Sequence, residues 1–279
     1  MRPVVVAVLA GWLGPWAGWL VPTYPVMLGL GCMLGAVLLV EGARRLGVSR
    51  RQTLGVVMVA YAFGLAGASA VPGLQGLGGL LSTGHFRPPS GIAAYGGLLG
   101  GTVASVWWLR RAGLPVLPFL DAAAPAVGLG YFFGRLGCFL AGCDYGKVTA
   151  MPLSVRFPAQ SHAFRDHLAR GLVGPDDAWS RPVHPTQLYL AFTGLALYLL
   201  CSSLPARGDG RRFLAYVGGY AVVRSLIELL RGDEGRGFFG PLSTSQVLAA
   251  VSVALAFALV RAQRASGASA TPPEPDPAG

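Results

Sequence analysis

The sequence predicts an all-α membrane protein: a polytopic helix bundle with seven or eight transmembrane helices and a small extracytoplasmic subdomain. Three observations lead there. The chain is 53% hydrophobic and only 12% charged, where a soluble globular domain carries about 25% charged residues. Its 41 glycines suit transmembrane helices, whose backbones approach closely where side chains are small. Apolar runs long enough to span a bilayer recur near 3–21, 24–42, 53–72, 92–109, 115–133, 186–202, 213–230 and 243–261. Only helices suit these runs, because open strand edges go unsatisfied in lipid and the alternation of a barrel is missing.

The runs in order set the topology. Arg2 followed by apolar residues 4–20 superficially resembles a signal peptide, but no small-x-small cleavage site is easily placed and a second apolar run begins at Tyr24. A retained first span, or a partly inserted helix, is the expectation. The second run ends in Arg44, Arg45, Arg50 and Arg51, and the third opens into a long Gly/Pro-bearing stretch, Gly73–Ser90. Arg110 and Arg111 close the fourth; the fifth leads into the longest connection, 134–183. Arg207, Arg211 and Arg212 follow the sixth run, and Arg261 and Arg264 the eighth. Every second connection is thus the basic one, which places both termini in the cytoplasm and the connections at 73–90 and 134–183 outside. If the first segment does not cross, the N-terminus moves outside and the rest keeps its orientation. Residues 1–261 form one transmembrane domain with an outward-facing insertion, 134–183; residues 262–279, rich in Ser, Ala, Pro and Glu, read as a disordered cytoplasmic tail.

Other classes are excluded. The net charge of +10 comes from arginines spread among the ends of apolar runs, so no basic face exists for nucleic acid. Dinucleotide, P-loop and EF-hand patterns are absent, and Gly128 and Gly130 sit inside a span. No cofactor is implied. Cys32 and Cys201 read as small apolar residues in spans.

The polar residues within or beside spans need an explanation, since charge in the bilayer is costly. Arg224, Glu228 and Arg231 share one helix face at i, i+4, i+7. They form either a structural ion pair or an arginine-lined site for an anionic head group, where phosphate matches the guanidinium fork. The segment G134-R-L-G-C-F-L-A-G-C-D-Y-G-K147 closes the fifth span. Its glycines at 134, 137, 142 and 146 allow tight turns and frame Arg135, Cys138, Cys143, Asp144, Tyr145 and Lys147. Arg135 either anchors the helix end or joins a site. The cysteines are five apart, a poor zinc spacing, and no metal is expected; Arg135 and Lys147 nearby would lower a thiol pKa. Asp121 is a helix-end residue or an arginine's partner. H184-P-T-Q-L-Y189 opens the sixth span, with Pro185 suited to a first helical turn. His184 is a candidate base, acid or phosphate partner; Gln187 and Tyr189 serve either the site or interhelical hydrogen bonding.

Taken together these segments resemble the prolipoprotein diacylglyceryl transferase family. The likeness runs from about Tyr24 to Arg261 and comprises I92-A-A-Y-G-G-L-L-G100, D121–G134, the 134–147 signature, HPTQLY at 184–189, and G219-Y-A-V-V-R224 with Glu228 and Arg231. The resemblance implies transfer of a diacylglyceryl group from phosphatidylglycerol to the lipobox cysteine thiol of a prolipoprotein signal peptide, with glycerol phosphate released. It implies a bacterial inner-membrane enzyme whose site lies near the outer leaflet. The family's signature arginine is similar to Arg135 and its later essential arginine to Arg224. With His184 and Tyr95 they are the expected catalytic residues. Arg231, Glu228, Gln187, Tyr189, Cys143 and Lys147 join Arg135 and Arg224 as expected substrate contacts.

The chain departs from the family pattern at several positions. Tyr95 stands where the family commonly has histidine, and its ordinary pKa near 10 makes it a poorer base. Cys138 and Ala141 replace two asparagines, Cys143 a glutamate, Lys147 an arginine and Leu190 an acidic residue. These changes bear on the acceptor. A phospholipid-dependent transferase with another acceptor, or a non-catalytic phospholipid-binding protein, are the alternatives.

Overall fold

The computed structural model describes residues 23–83, 94–232, 238–239 and 242–268. Among them the chain forms α1 (Thr23–Arg44), α2 (Arg50–Thr83), α3 (Ala94–Arg111), α4 (Val116–Ala141), α5 (His162–Ala169), α6 (Thr186–Ser203), α7 (Arg211–Glu228) and α8 (Thr244–Ala268). A two-residue antiparallel pair, β1 (Phe238–Phe239) with β2 (Leu242–Ser243), precedes α8. Five helices, α1, α2, α4, α6 and α8, are long and apolar enough to cross a membrane. The apolar stretches of α1, α2 and α8 are only 17% buried, so their Met, Phe, Leu and Val side chains face outward, a surface that lipid solvates and water does not. α7 is 18 residues long, but Arg211, Arg212, Arg224 and Glu228 break its apolar character. The expected first span, 3–21, lies outside the described residues.

Two expected boundaries move. α2 runs 34 residues to Thr83, so much of the Gly73–Ser90 stretch is helical backbone rather than loop. The helix persists through Pro72 and the glycines beyond it. α4 runs to Ala141, so the insertion begins at residue 142 and not at 134, and Gly134 and Gly137 are helical. α8 likewise continues past Arg261 to Ala268.

α4 is the hub. It packs on α1, α6 and α7, whereas α2 and α3 pack chiefly on each other. Small residues make the contact with α6 close: a side chain at Gly128 of α4 would strike the backbone of Gly194 and Tyr198 in α6. A cluster of Ala43, Val48, Val56, Leu109, Val116, Phe119 and Leu120, with Phe213 and Leu259 against it, joins α1, α2, α3, α4, α7 and α8 at one end. The connections that follow α1, α3 and α6, with their Arg44, Arg45, Arg110, Arg111 and Arg207, lie at this end. There Asp121 of α4 accepts from the backbone N–H of Gly210 at 3.0 Å and of Phe213 at 3.1 Å, capping α7 from a neighbouring helix. It is a helix-end residue, serving a helix other than its own. Arg264 of α8 reaches the Asp209 carbonyl at 2.7 Å, which ties the last helix to the same end.

The opposite end carries the 142–183 excursion. Phe139, Tyr145, Phe157, Ala163 and Val183 form its small core, and Ser161 caps α5 by accepting from Phe164 N–H at 3.1 Å.

Candidate active site

The site is built on the end of α4. Gly142 adopts φ 72°, the left-handed conformation that a helix-ending glycine supplies without a Cβ penalty. Its N–H donates to the Phe139 carbonyl at 3.2 Å and the Cys143 N–H to the Cys138 carbonyl at 3.2 Å, the paired bonds of a Schellman motif. Asp144 follows with φ 55°, a conformation aspartate tolerates better than most residues. The chain then runs as a strip between two others. Gly146 N–H donates to the His184 carbonyl at 2.9 Å, His184 N–H to the Lys147 carbonyl at 3.1 Å, and Lys147 N–H to the Leu230 carbonyl at 2.7 Å. Only glycine fits at 146, where a Cβ would meet His184 and the Leu230 carbonyl. From α6, the Thr186 hydroxyl donates to the Asp144 carbonyl at 2.7 Å and Gln187 Nε2 to the Cys143 carbonyl at 2.6 Å.

This strip delivers Asp144 to the arginines. Arg135 of α4 donates to Asp144 Oδ2 at 2.7 Å, and Arg231, just past α7, donates to Oδ1 at 3.2 Å. Burial works against the charged Asp144 carboxyl, but Arg135 and Arg231, with Arg224 adding to them, outweigh it and hold it below the usual carboxylate range. One carboxylate therefore feels three guanidinium groups. Arg224 itself bonds Glu228 one turn along α7 and donates to Ser245 Oγ of α8 at 2.9 Å. Arg224 and Glu228 are each 4% exposed, so this pair lies within the bundle. The expected structural ion pair of Glu228 with one arginine is therefore present, with Arg224, while Arg231 bonds Asp144.

Tyrosines not anticipated as site residues set the level of the two helical arginines. Tyr131 precedes Arg135 by one turn of α4, and Tyr220 precedes Arg224 by one turn of α7. The Arg135 guanidinium lies 4.9 Å from the Tyr131 ring centroid. The two rings meet edge-on at 5.2 Å between centroids, with the Tyr131 hydroxyl donating to Tyr220 OH at 3.5 Å. Tyr216 stacks below Tyr220 at 6.4 Å. Arg135 and Arg224 thus stand above a tyrosine pair on facing helices. The i−4 spacing from each arginine was the available signal, and without a known pairing of α4 with α7 it carried no meaning.

The remaining expected residues divide. His184 Nδ1 lies 3.5 Å from Tyr189 OH, and the His184 backbone borders the strip. Lys147 is exposed and joins only through its backbone. Tyr95 belongs to the first turn of α3, with its side chain outside the described residues. Cys138 Sγ lies 3.9 Å from Asp144 Oδ2 and Cys143 Sγ 3.7 Å from the Cys138 carbonyl. The Cys143 thiol pKa is raised, by its hydrogen bond with Cys138 first and burial second, against the lowering influence of Arg135. Cys138, Cys143 and Asp144 present donor atoms within 4.8 Å of one another, but both Asp144 oxygens are engaged by guanidinium groups.

The excursion braces the site from outside. Tyr145 OH bonds Asp166, which also accepts from Arg170 at 2.7 Å. Arg170 reaches the Gly232 carbonyl at 3.1 Å, beside Arg231. His167 is buried against Tyr145, and its Nδ1 accepts from Arg181 N–H at 3.2 Å.

A family model described as prolipoprotein diacylglyceryl transferase matches residues 16–262. A phosphatidylglycerol–prolipoprotein diacylglyceryl transferase of Clostridium tetani is 31% identical over 235 residues, covering 82% of this chain and 88% of the relative. Transferases of the same description from Thermus thermophilus and Clostridium perfringens are 30% and 28% identical, covering 85% of this chain in each case and 92% and 88% of the relatives.

Proposed function

The chain belongs to the prolipoprotein diacylglyceryl transferase family, and from that premise we propose that it moves a diacylglyceryl group from phosphatidylglycerol to the cysteine thiol of a prolipoprotein. The observation that carries the site assignment is the meeting of Arg135 and Arg231 on Asp144, with the buried Arg224–Glu228 pair on α7, at the end away from the basic connections. In this reading the basic end faces the cytoplasm and the guanidinium groups sit near the outer leaflet of a bacterial inner membrane.

The chemistry follows from the charges. The thiol sulfur attacks the terminal glyceryl carbon, the bond from that carbon to the phosphate oxygen breaks, and glycerol phosphate leaves with the electron pair. Negative charge grows on the departing phosphate oxygen, so prepositioned guanidinium groups stabilise the transition state more than the ground state. Asp144 and Glu228 hold those groups in place before the lipid arrives, which reduces the reorganisation needed during reaction. The tyrosine pair sets the depth of Arg135 and Arg224. His184, at the edge of the strip, takes the thiol proton; an imidazole is suited to that task near neutral pH. The nucleophile belongs to the substrate, so Cys143 has no covalent role, in keeping with a thiol that holds its proton.

Purified protein incubated with phosphatidylglycerol and a lipobox peptide will yield a diacylglyceryl thioether peptide and glycerol phosphate, both read by mass spectrometry. Binding of phosphatidylglycerol with neither product, across several thiol peptides, would refute the transfer reading.

A further inference from the structure

Cys138 and Cys143 are brought together by backbone geometry alone. Counting back from Gly142, the first residue past the helix, Cys138 is the fourth residue from the end of α4 and Cys143 the second residue beyond it. The two Schellman hydrogen bonds hold that relation, and side chains at these two positions meet in this motif. Here both are free thiols, with sulfurs within 4.8 Å. A cation is the less suitable partner for them. The third donor, Asp144, already accepts from Arg135 and Arg231, and a bound cation would face those guanidinium groups directly.

We propose that Cys138 and Cys143 form a reversible intramolecular disulfide that loosens the hold of Asp144 on Arg135 and Arg231. The coupling is local. Cys138 Sγ contacts Asp144 Oδ2, the same oxygen that Arg135 bonds; closing the disulfide removes that S–H. Cys143 is the residue before Asp144, so pulling its sulfur toward Cys138 turns the peptide on which Asp144 is mounted. The oxidant is a small-molecule or protein disulfide. One of the two thiols attacks it as thiolate and forms a mixed disulfide; the other then displaces the second sulfur. One S–S bond forms and the oxidant's S–S bond breaks. Two electrons pass to the oxidant, and the two protons finish on the two thiols released. Because the attacking form is a thiolate, oxidation accelerates as pH rises.

The pairing stands without any assigned activity; its consequence for turnover rests on the transfer reading. The full-length protein in phosphatidylglycerol-containing nanodiscs is equilibrated with oxidised glutathione, alkylated with a maleimide, and mapped by non-reducing peptide mass spectrometry. The expected result is loss of two of the four reactive thiols, with 138 linked to 143, restored by dithiothreitol and absent from Cys138→Ser and Cys143→Ser. Transfer is expected to fall about tenfold on oxidation through misplacement of the arginines. In a Cys138→Ser/Cys143→Ser double variant it is unchanged by oxidant, whatever that variant's basal rate. Full alkylation of both cysteines after oxidant treatment would overturn the proposal. So would protection reversed by a chelator instead of a reductant, or a formed bridge with undiminished transfer. A bridge that forms in a protein showing no transfer in either redox state counts against the transfer reading and leaves the pairing established.

Discussion

At the close of α1, the Arg44 and Arg45 side chains are 68% and 78% exposed and both lean on Glu41, at 3.5 and 3.7 Å. At the other end of the bundle, the Arg135 and Arg224 side chains are 11% and 5% exposed, each bonded to a carboxylate, and Arg135 also lies over the Tyr131 ring. The residue type is the same, and the physics differs. An exposed ion pair in high dielectric is worth about 0–1 kcal/mol, so the first group of arginines needs only charge and a position beside a span. Removing one partner of a buried pair costs about 3–5 kcal/mol because a charge is left without compensation. The second group is therefore fixed in geometry as well as charge.

The sharpest way to break this comparison is to keep charge and change shape. Arg135→Lys and Arg224→Lys are each expected to lower transfer by at least about a hundredfold while the protein elutes as a single species in detergent. Arg44→Lys and Arg45→Lys should stay within about twofold of the parent, because exposed pairs contribute little. Equal losses at the two ends, measured with labelled phosphatidylglycerol, would erase the distinction.

His184→Gln comes next. If His184 takes the thiol proton, turnover falls about a hundredfold with lipid binding retained. A loss confined to KM would reduce the histidine to a head-group contact.

Asp144→Asn is expected to cost about tenfold in transfer, since neutralising the shared acceptor frees two guanidinium groups from their set positions. Its pH signature has a definite sign. The Asp144 pKa is depressed in the folded protein, so its contribution to stability is fully present above the unfolded carboxyl value, about 3.9. That contribution is lost as pH falls through the lower folded value. Stability should therefore drop below about pH 4 in the parent and more gently in Asp144→Asn, as followed by thermal unfolding against pH.

Asp121→Ala tests the basic end from its buried side. It should lose about 1–2 kcal/mol of stability, as for a missing helix cap, with per-molecule transfer unchanged within about twofold. A larger loss of transfer would mean the two ends are coupled through α7.

The smallest effect expected is on folding, when single cysteines are placed for labelling. Cysteines at Arg110 and Arg207 are expected to resist an impermeant thiol reagent in intact cells, while one at the exposed Gln160 reacts, each read against the parent. Outside labelling at 110 or 207 would invert the proposed topology, and with it the leaflet assigned to the arginine cluster.

Much of this architecture was legible one segment at a time. Apolar length and the alternation of arginine-bearing connections depend on composition along a line, so the helical class, most span positions and the separation of basic from insertion-bearing ends could be read before any contact was known. Arg135, Arg224, Glu228 and Arg231 stood out because charge in an apolar run is costly wherever the helix ends up. The end of α4 could not be read in this way: glycine signals a turn in water, but Gly134 and Gly137 lie within the helix where it packs on Tyr24, Met27 and Leu28 of α1. Pairing was beyond the linear pattern altogether. That Arg231 turns from Glu228 to Asp144, that Asp121 caps a helix other than its own, and that Tyr131 meets Tyr220 all depend on α4 lying against α7 and on the strip at 143–147 threading between residues 184 and 230–232. Segment identity is set by each stretch's own hydration cost; which charged group meets which is decided only when packing brings distant segments within hydrogen-bond reach.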